Sequence, residues 1–174
     1  MLRTVLSVLA VATLLAGCGL TQAVSDTSSA TAKAIFSRPL TRLQLDISGR
    51  AATNIASAEM HGLSVATQVR VYQLRDGRRL AKASYSQLLK DDEAVLGTDL
   101  LSSHTLVVLP EGGATLDVPL ENEAGTVAVV ALFREPDVNT TWRLALTRAD
   151  LLPDRARVIE LAENRLTLRA LSEE

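Results

Sequence analysis

The sequence holds little of what most reactive sites are built from. One cysteine in 174 residues excludes an internal disulfide and a thiolate metal cage, and two histidines, His61 and His104, leave little for an imidazole site. Positive charge is not in excess: 18 basic side chains face 20 acidic ones, for a formal charge of −2. The chain thus lacks the electrostatic footprint of a protein that holds a phosphate backbone, and no nucleic-acid partner is expected. The longest apolar run, Thr4 to Ala16, falls short of the roughly 20 residues a transmembrane helix needs. There is no internal repeat. What is present, 47% apolar and 22% charged residues, suits one ordinary folded domain.

The first eighteen residues carry the clearest signal. Arg3 precedes the apolar run, and small residues follow it, which is the pattern of a secretory leader. Leu15-Ala16-Gly17-Cys18 resembles the bacterial lipobox, in which the thiol is acylated and the leader is cut before the cysteine. Residues 1–17 are then a lipoprotein signal peptide, and Cys18 carries the lipid; the plain alternative is a buried cysteine in an N-terminal helix. Two or three acyl chains hold durably where one holds weakly. By the sorting rule for such lipoproteins, Gly19 instead of aspartate after the cysteine implies the outer membrane, with the domain facing the periplasm. Residues 18–38, rich in Ser, Thr and Ala, read as a flexible tether with a coil span of about 25 Å.

Residues 39–174 change period. Leu43, Leu45 and Ile47 alternate with polar residues, the mark of a half-buried strand. Similar runs at Ala66–Leu74, His104–Leu109, Ala114–Leu120, Thr126–Phe133, Thr141–Thr147, Ala156–Leu161 and Arg165–Leu171 complete eight strands separated by short polar turns. That spacing favours an all-β, antiparallel sandwich over a parallel α/β sheet. Thr126–Phe133, almost continuously apolar, is expected at the centre of a sheet. Ser84-Tyr85-Ser86-Gln87 has capping-box spacing, so one or two helical turns are expected between the second and third strands. The connection from Ser48 to Val65 is too long for a hairpin, and long structured loops often carry function.

Candidate chemistry is sparse. No Gly-x-Ser-x-Gly elbow surrounds any serine, and His104, after Ser102 and Ser103, reads as an edge-strand residue before a catalytic base. His61 lies in the long loop without a second imidazole at ligand spacing. Asp91, Asp92 and Glu93 read as a solvated face, and Arg75-Asp76-Gly77-Arg78-Arg79 as a charged hairpin turn. Three arginines could touch anionic lipid, yet they are fewer than in the clusters that do so reliably. Trp142 shares the period of Leu144 and Leu146 and is expected in the core, with interface exposure as the alternative. No catalytic residue, cofactor or metal site is expected.

Val69-Arg70-Val71-Tyr72-Gln73-Leu74, then Tyr85-Ser86-Gln87-Leu88, Leu96-Gly97 and Asp99-Leu100, then Val127 to Phe133 followed by Trp142-Arg143, resemble in order the type VI secretion outer-membrane lipoprotein family TssJ. The family's Pro-Gly after the third strand stands here as Pro110-Glu111-Gly112, an insertion expected only to lengthen the turn. The resemblance implies a transthyretin-like β-sandwich of two four-stranded antiparallel sheets with a short inserted helix. It further implies a non-enzymatic role: anchoring the secretion membrane complex by binding the periplasmic C-terminal domain of the inner-membrane protein TssM, which TssL accompanies. The family's partner-contacting loop falls on Gly49–Ser64, making Asn54, Ile55, Met60, His61 and Leu63 the candidate binding residues. The alternatives are that the loop's apolar residues roof the open end of the sandwich, or that the protein is a periplasmic lipoprotein whose sandwich binds a ligand or inhibits an enzyme.

Overall fold

The computed structural model describes residues 39–55, 64–136 and 142–171. Cys18, the leader and the tether lie outside the described residues, as do Met60, His61 and Leu63. Eight strands form: β1 (Arg42–Gly49), β2 (Thr67–Leu74), β3 (Leu100–Val108), β4 (Gly113–Pro119), β5 (Thr126–Leu132), β6 (Arg143–Thr147), β7 (Arg157–Ala162) and β8 (Arg165–Leu168). They make two four-stranded sheets, ordered β4-β1-β7-β8 and β3-β2-β5-β6. All pairings are antiparallel except β1 with β7, which run parallel.

Period-two alternation decides what lies between the sheets. In β1, Leu43, Leu45 and Ile47 are buried opposite Val118, Leu116 and Ala114 of β4, while Arg42, Gln44 and Asp46 face outward. Strands β2 and β5 are central; β5 is apolar on both faces, as a continuous hydrophobic run is when a sheet is covered on each side, whereas β2 mixes apolar and polar residues. Val69 and Val71 point between the sheets with Val129 and Ala131; the opposite face of β2 offers Arg70 and Tyr72 to the helical layer.

That layer consists of α1 (Arg78–Lys82) and α2 (Tyr85–Leu96). The capping box at the start of α2 forms as the spacing requires: Ser84 Oγ accepts from the Gln87 N–H at 3.3 Å, and Gln87 Oε1 accepts from the Ser84 N–H at 2.9 Å. The helix runs longer than one or two turns and breaks at Asp91, whose φ is −160°. Asp91 Oδ1 caps the continuing segment by accepting from the Ala94 N–H at 3.0 Å. Asp92 turns inward, accepting from the Tyr72 hydroxyl at 2.6 Å and pairing with Arg70 at 3.1 Å. The acidic run is therefore not simply a solvated face, since two of its carboxylates hold structure.

The expected hairpin turn at Arg75–Arg79 is corrected: the chain leaves β2 and enters α1. Five residues are too few for a helix to stand on propensity alone. Leu80 is buried beneath it, and Arg143 of β6 donates to the carbonyls of Leu80 (2.6 Å), Ala83 (2.9 Å) and Ala81 (3.1 Å). A cation on the last carbonyls of a helix offsets their unpaired charge. Trp142 is 5% exposed, edge-on to the Tyr85 ring at 5.2 Å and beneath the Arg143 guanidinium at 5.0 Å. Strand β3 starts at Leu100, earlier than expected, because the polar Ser102 and Ser103 mask its period; His104 lies within this edge strand, half-buried opposite Val71.

Candidate functional site

The two ends of the sandwich differ. At one end the chain enters through Leu40, where the Arg148 guanidinium donates to the Leu40 carbonyl (3.3 Å) and the Leu120 N–H to that of Thr41 (2.9 Å). At the other, β1 ends at Gly49, and the long loop leaves beside the β3–β4 turn. Gly49 donates to the Gly112 carbonyl at 2.8 Å, and a Cβ on it would come within 2.5 Å of the Leu109 carbonyl oxygen. Only glycine permits that approach. The Leu109–Gly112 turn closes by a 3.0 Å hydrogen bond from the Gly112 N–H to the Leu109 carbonyl, with Glu111 at φ 55°.

The base of the loop is held by a polar network. Thr53 Oγ1 donates to the Arg50 carbonyl, and the Thr53 and Asn54 N–H groups both donate to Ser64 Oγ, at 2.9 and 3.4 Å. Asn54 is 2% exposed; its Nδ2 donates to the Ala66 carbonyl (3.4 Å), and its Oδ1 accepts from the Arg134 N–H (2.9 Å). Asn164, in the β7–β8 turn at φ 59°, accepts from the Ile55 N–H and donates to the Ile55 carbonyl, each at 2.8 Å. Burial at this degree makes Asn54 a residue that positions the loop from beneath. Ile55 is half-buried and stands at the point where the described chain stops before residue 56. Met60, His61 and Leu63 fall in the undescribed segment.

Sequence reasoning missed Asn164 and Ser64, the two side chains that clamp the loop's ends. The only available signal was Glu163-Asn164 as a turn; the hydrogen bonds join residues far apart in the chain. Asn54→Ala is expected to cost about 1 to 3 kcal/mol by removing a buried carboxamide that bonds the Arg134 N–H and the Ala66 carbonyl, read by urea denaturation. A change under about 0.3 kcal/mol would mean that the loop base is held without it.

An open recess of about 650 Å³ lies beside this network, lined by Gly49, Arg50, Ala51, Ala52, Glu111, Ala162 and Glu163. Its rim is charged, with Arg50 paired to Glu160 at 2.7 Å, which lowers the Glu160 carboxyl below its usual range through that hydrogen bond. Small-molecule sites are mostly apolar with a few convergent polar groups, and this recess is not built that way.

The chain matches a family model described as type VI secretion lipoprotein, VasD, EvfM, TssJ, over residues 41–165. Among solved structures, it is 37% identical to a chain of a type VI membrane complex, with a TM-score of 0.71 over 76% of this chain and 100% of that one. It is 36% identical to a chain of a structure described as the T6SS protein TssM C-terminal domain from EAEC, with a TM-score of 0.68 over 75% of this chain and 99% of that one. Lip from Serratia marcescens, a membrane-bound component of the type VI secretion system, shares the fold at 22% identity, with a TM-score of 0.68 over 78% of this chain and 100% of Lip. No curated protein sequence matches the chain.

Proposed function

This chain belongs to the type VI secretion lipoprotein family that includes TssJ, and from that membership we propose that it is a non-enzymatic anchor of the secretion membrane complex. In this reading it is lipidated at Cys18, resides in the outer membrane facing the periplasm, and binds the periplasmic C-terminal domain of TssM, with TssL in the same assembly. Its 36% identity to a chain of a structure described by the TssM C-terminal domain supports that choice of partner.

The observation that carries the reading is the separation of the two attachments. The chain arrives at Leu40, and the candidate loop leaves from Gly49 at the far end of β1. Eight strand residues at about 3.3 Å each set the two ends roughly 25 Å apart. Load on the loop passes to the anchor through hydrogen-bonded strands, which extend little under tension. The lipid also confines the domain to a surface and raises its effective concentration toward a partner that crosses the periplasm.

Co-purification from solubilised envelopes tests this function. The wild-type chain is expected to retain the TssM periplasmic domain, and failure to do so at micromolar concentrations would reject the partner. Cys18→Ser is expected to shift the protein from the membrane fraction to the soluble one. Unchanged membrane association of that variant would reject the anchor, whatever the outcome of the co-purification.

A further inference from the structure

We propose that the end of the sandwich at Leu40 is a docking surface for anionic phospholipid headgroups, built on Arg79 and Lys82. The inference rests on the reading that the chain before Leu40 is tied to a membrane.

Arg75, Arg78, Arg79 and Lys82 line an open cleft of about 330 Å³ with Asp76, Thr98 and Asp99. Several of these charges are already committed. Asp76 pairs with Arg78 at 2.5 Å, and Glu123 pairs with Arg75, which also donates to the Thr98 carbonyl at 3.2 Å. Asp99 is buried; one oxygen accepts from the Asp76 N–H at 2.9 Å, and the other has no partner among the described residues. It offsets positive charge at the floor of the cleft. Arg79 and Lys82 are exposed, and among the described residues neither side chain makes a hydrogen bond or an ion pair, although Arg79 lies near enough to Asp76 to help lower its carboxyl after the larger effect of Arg78. Gly97, at φ 51°, makes room for Arg79: a Cβ there would come within 2.9 Å of Arg79 Nη1.

The cleft and Leu40 share one end of the molecule through a short series of contacts. The Gly125 N–H donates to the Leu74 and Arg75 carbonyls at 3.0 and 3.2 Å, and the Arg148 guanidinium spans the carbonyls of neighbouring Ala124 (2.9 Å) and Leu40 (3.3 Å). The charged stretch, read from sequence as a weaker patch than the clusters that bind lipid reliably, thus acquires Lys82 and a position where the chain leads back toward Cys18. Each unpaired cation near an anionic surface favours docking by about fivefold, so two give about thirtyfold. That is slight for a free protein. For a domain already held at the surface by a tether of about 25 Å reach, it decides orientation. The candidate loop at the opposite end then points away from the bilayer.

The test uses the lipidated full chain in vesicles. Because the Cys18 sulfur is acylated, Asn122→Cys at this end or Ala51→Cys at the other supplies a single thiol for a fluorophore, and headgroup-bound nitroxide supplies the quencher. With phosphatidylglycerol present, the label at 122 is expected to be quenched and the label at 51 spared. The asymmetry is expected to vanish in pure phosphatidylcholine, in 0.5 M salt, and in the double variant Arg79→Ala/Lys82→Ala. Equal quenching at both ends, or asymmetry that survives the double variant, overturns the proposal. So does a double variant that keeps the asymmetry but loses the TssM domain, since the cleft then serves a protein. A chain that washes off the vesicles overturns the anchor reading and this inference together, whereas a chain that stays without asymmetry overturns the inference alone.

Discussion

Tyr72→Ala is expected to destabilise the sandwich by about 4 kcal/mol, a large share of the 5 to 15 kcal/mol that holds a typical domain together. Tyr72 is 0% exposed, in a central strand, beneath α2. Truncation empties a ring-sized volume and also removes the hydroxyl that donates to Asp92 at 2.6 Å. Arg70 and Asp92 remain, with Arg70 still donating to the Leu88 carbonyl at 2.9 Å, so the loss is chiefly of packing. Tyr72→Phe keeps the ring and is expected to cost about 1 kcal/mol. Urea unfolding of the two variants separates the contributions, and a Tyr72→Ala cost below about 2 kcal/mol would mean that α2 collapses into the gap.

The same residue predicts a pH response. Burial, and next the hydrogen bond to Asp92, raise the Tyr72 phenol above its ordinary value near 10. A group whose folded pKa is raised contributes stability that is fully present below its unfolded pKa and is lost as pH rises toward the folded one. Stability is therefore expected to fall above about pH 10, less steeply in Tyr72→Phe. Tyr85, raised by its own burial, adds to the decline and remains in that variant. Equal slopes in the two proteins between pH 10 and 11.5 would remove Tyr72 from the account.

Met60→Asp is expected to weaken binding of the TssM periplasmic domain by at least about thirtyfold, enough to abolish co-purification, while the fold is retained. Apolar side chains at the centre of an interface commonly carry 2 kcal/mol or more, and a carboxylate in the same place adds the cost of stripping its water. The loop's two ends are held independently of residue 60, by Asn164 on Ile55 and by Ser64 on Thr53 and Asn54. Because those clamps are spared, melting is expected to stay close to wild type. Normal complex formation by a folded Met60→Asp protein would move the interface off this loop.

Much of the architecture is legible in the chain because strand and cap signals are local. Alternation at Leu43, Leu45 and Ile47 marks β1; the unbroken apolar run marks β5 as central; Ser84 and Gln87 mark the start of α2. Each depends on neighbours within a few residues. Other features depend on partners far away in sequence. Helix α1 exists where a hairpin was expected because Arg143, about sixty residues on, takes its terminal carbonyls. The parallel pairing of β1 with β7 joins strands more than a hundred residues apart, which no local pattern encodes. Asn54, a candidate contact residue by position in the loop, is buried because Arg134 and Ala66 close over it.

Local period and turn signals are enough to give the class of fold, and the motifs of β2, α2, β5 and β6 carry the family resemblance that the family model bears out. Long-range contacts settle which of the loop's described side chains brace it, and place Leu40 and the loop's base at opposite ends of one β-sandwich. They also bring Arg79 and Lys82 to the end where the chain enters. Hydrophobic period tells each strand which face to bury, but long-range register decides which strands meet, and charge placement follows from that meeting.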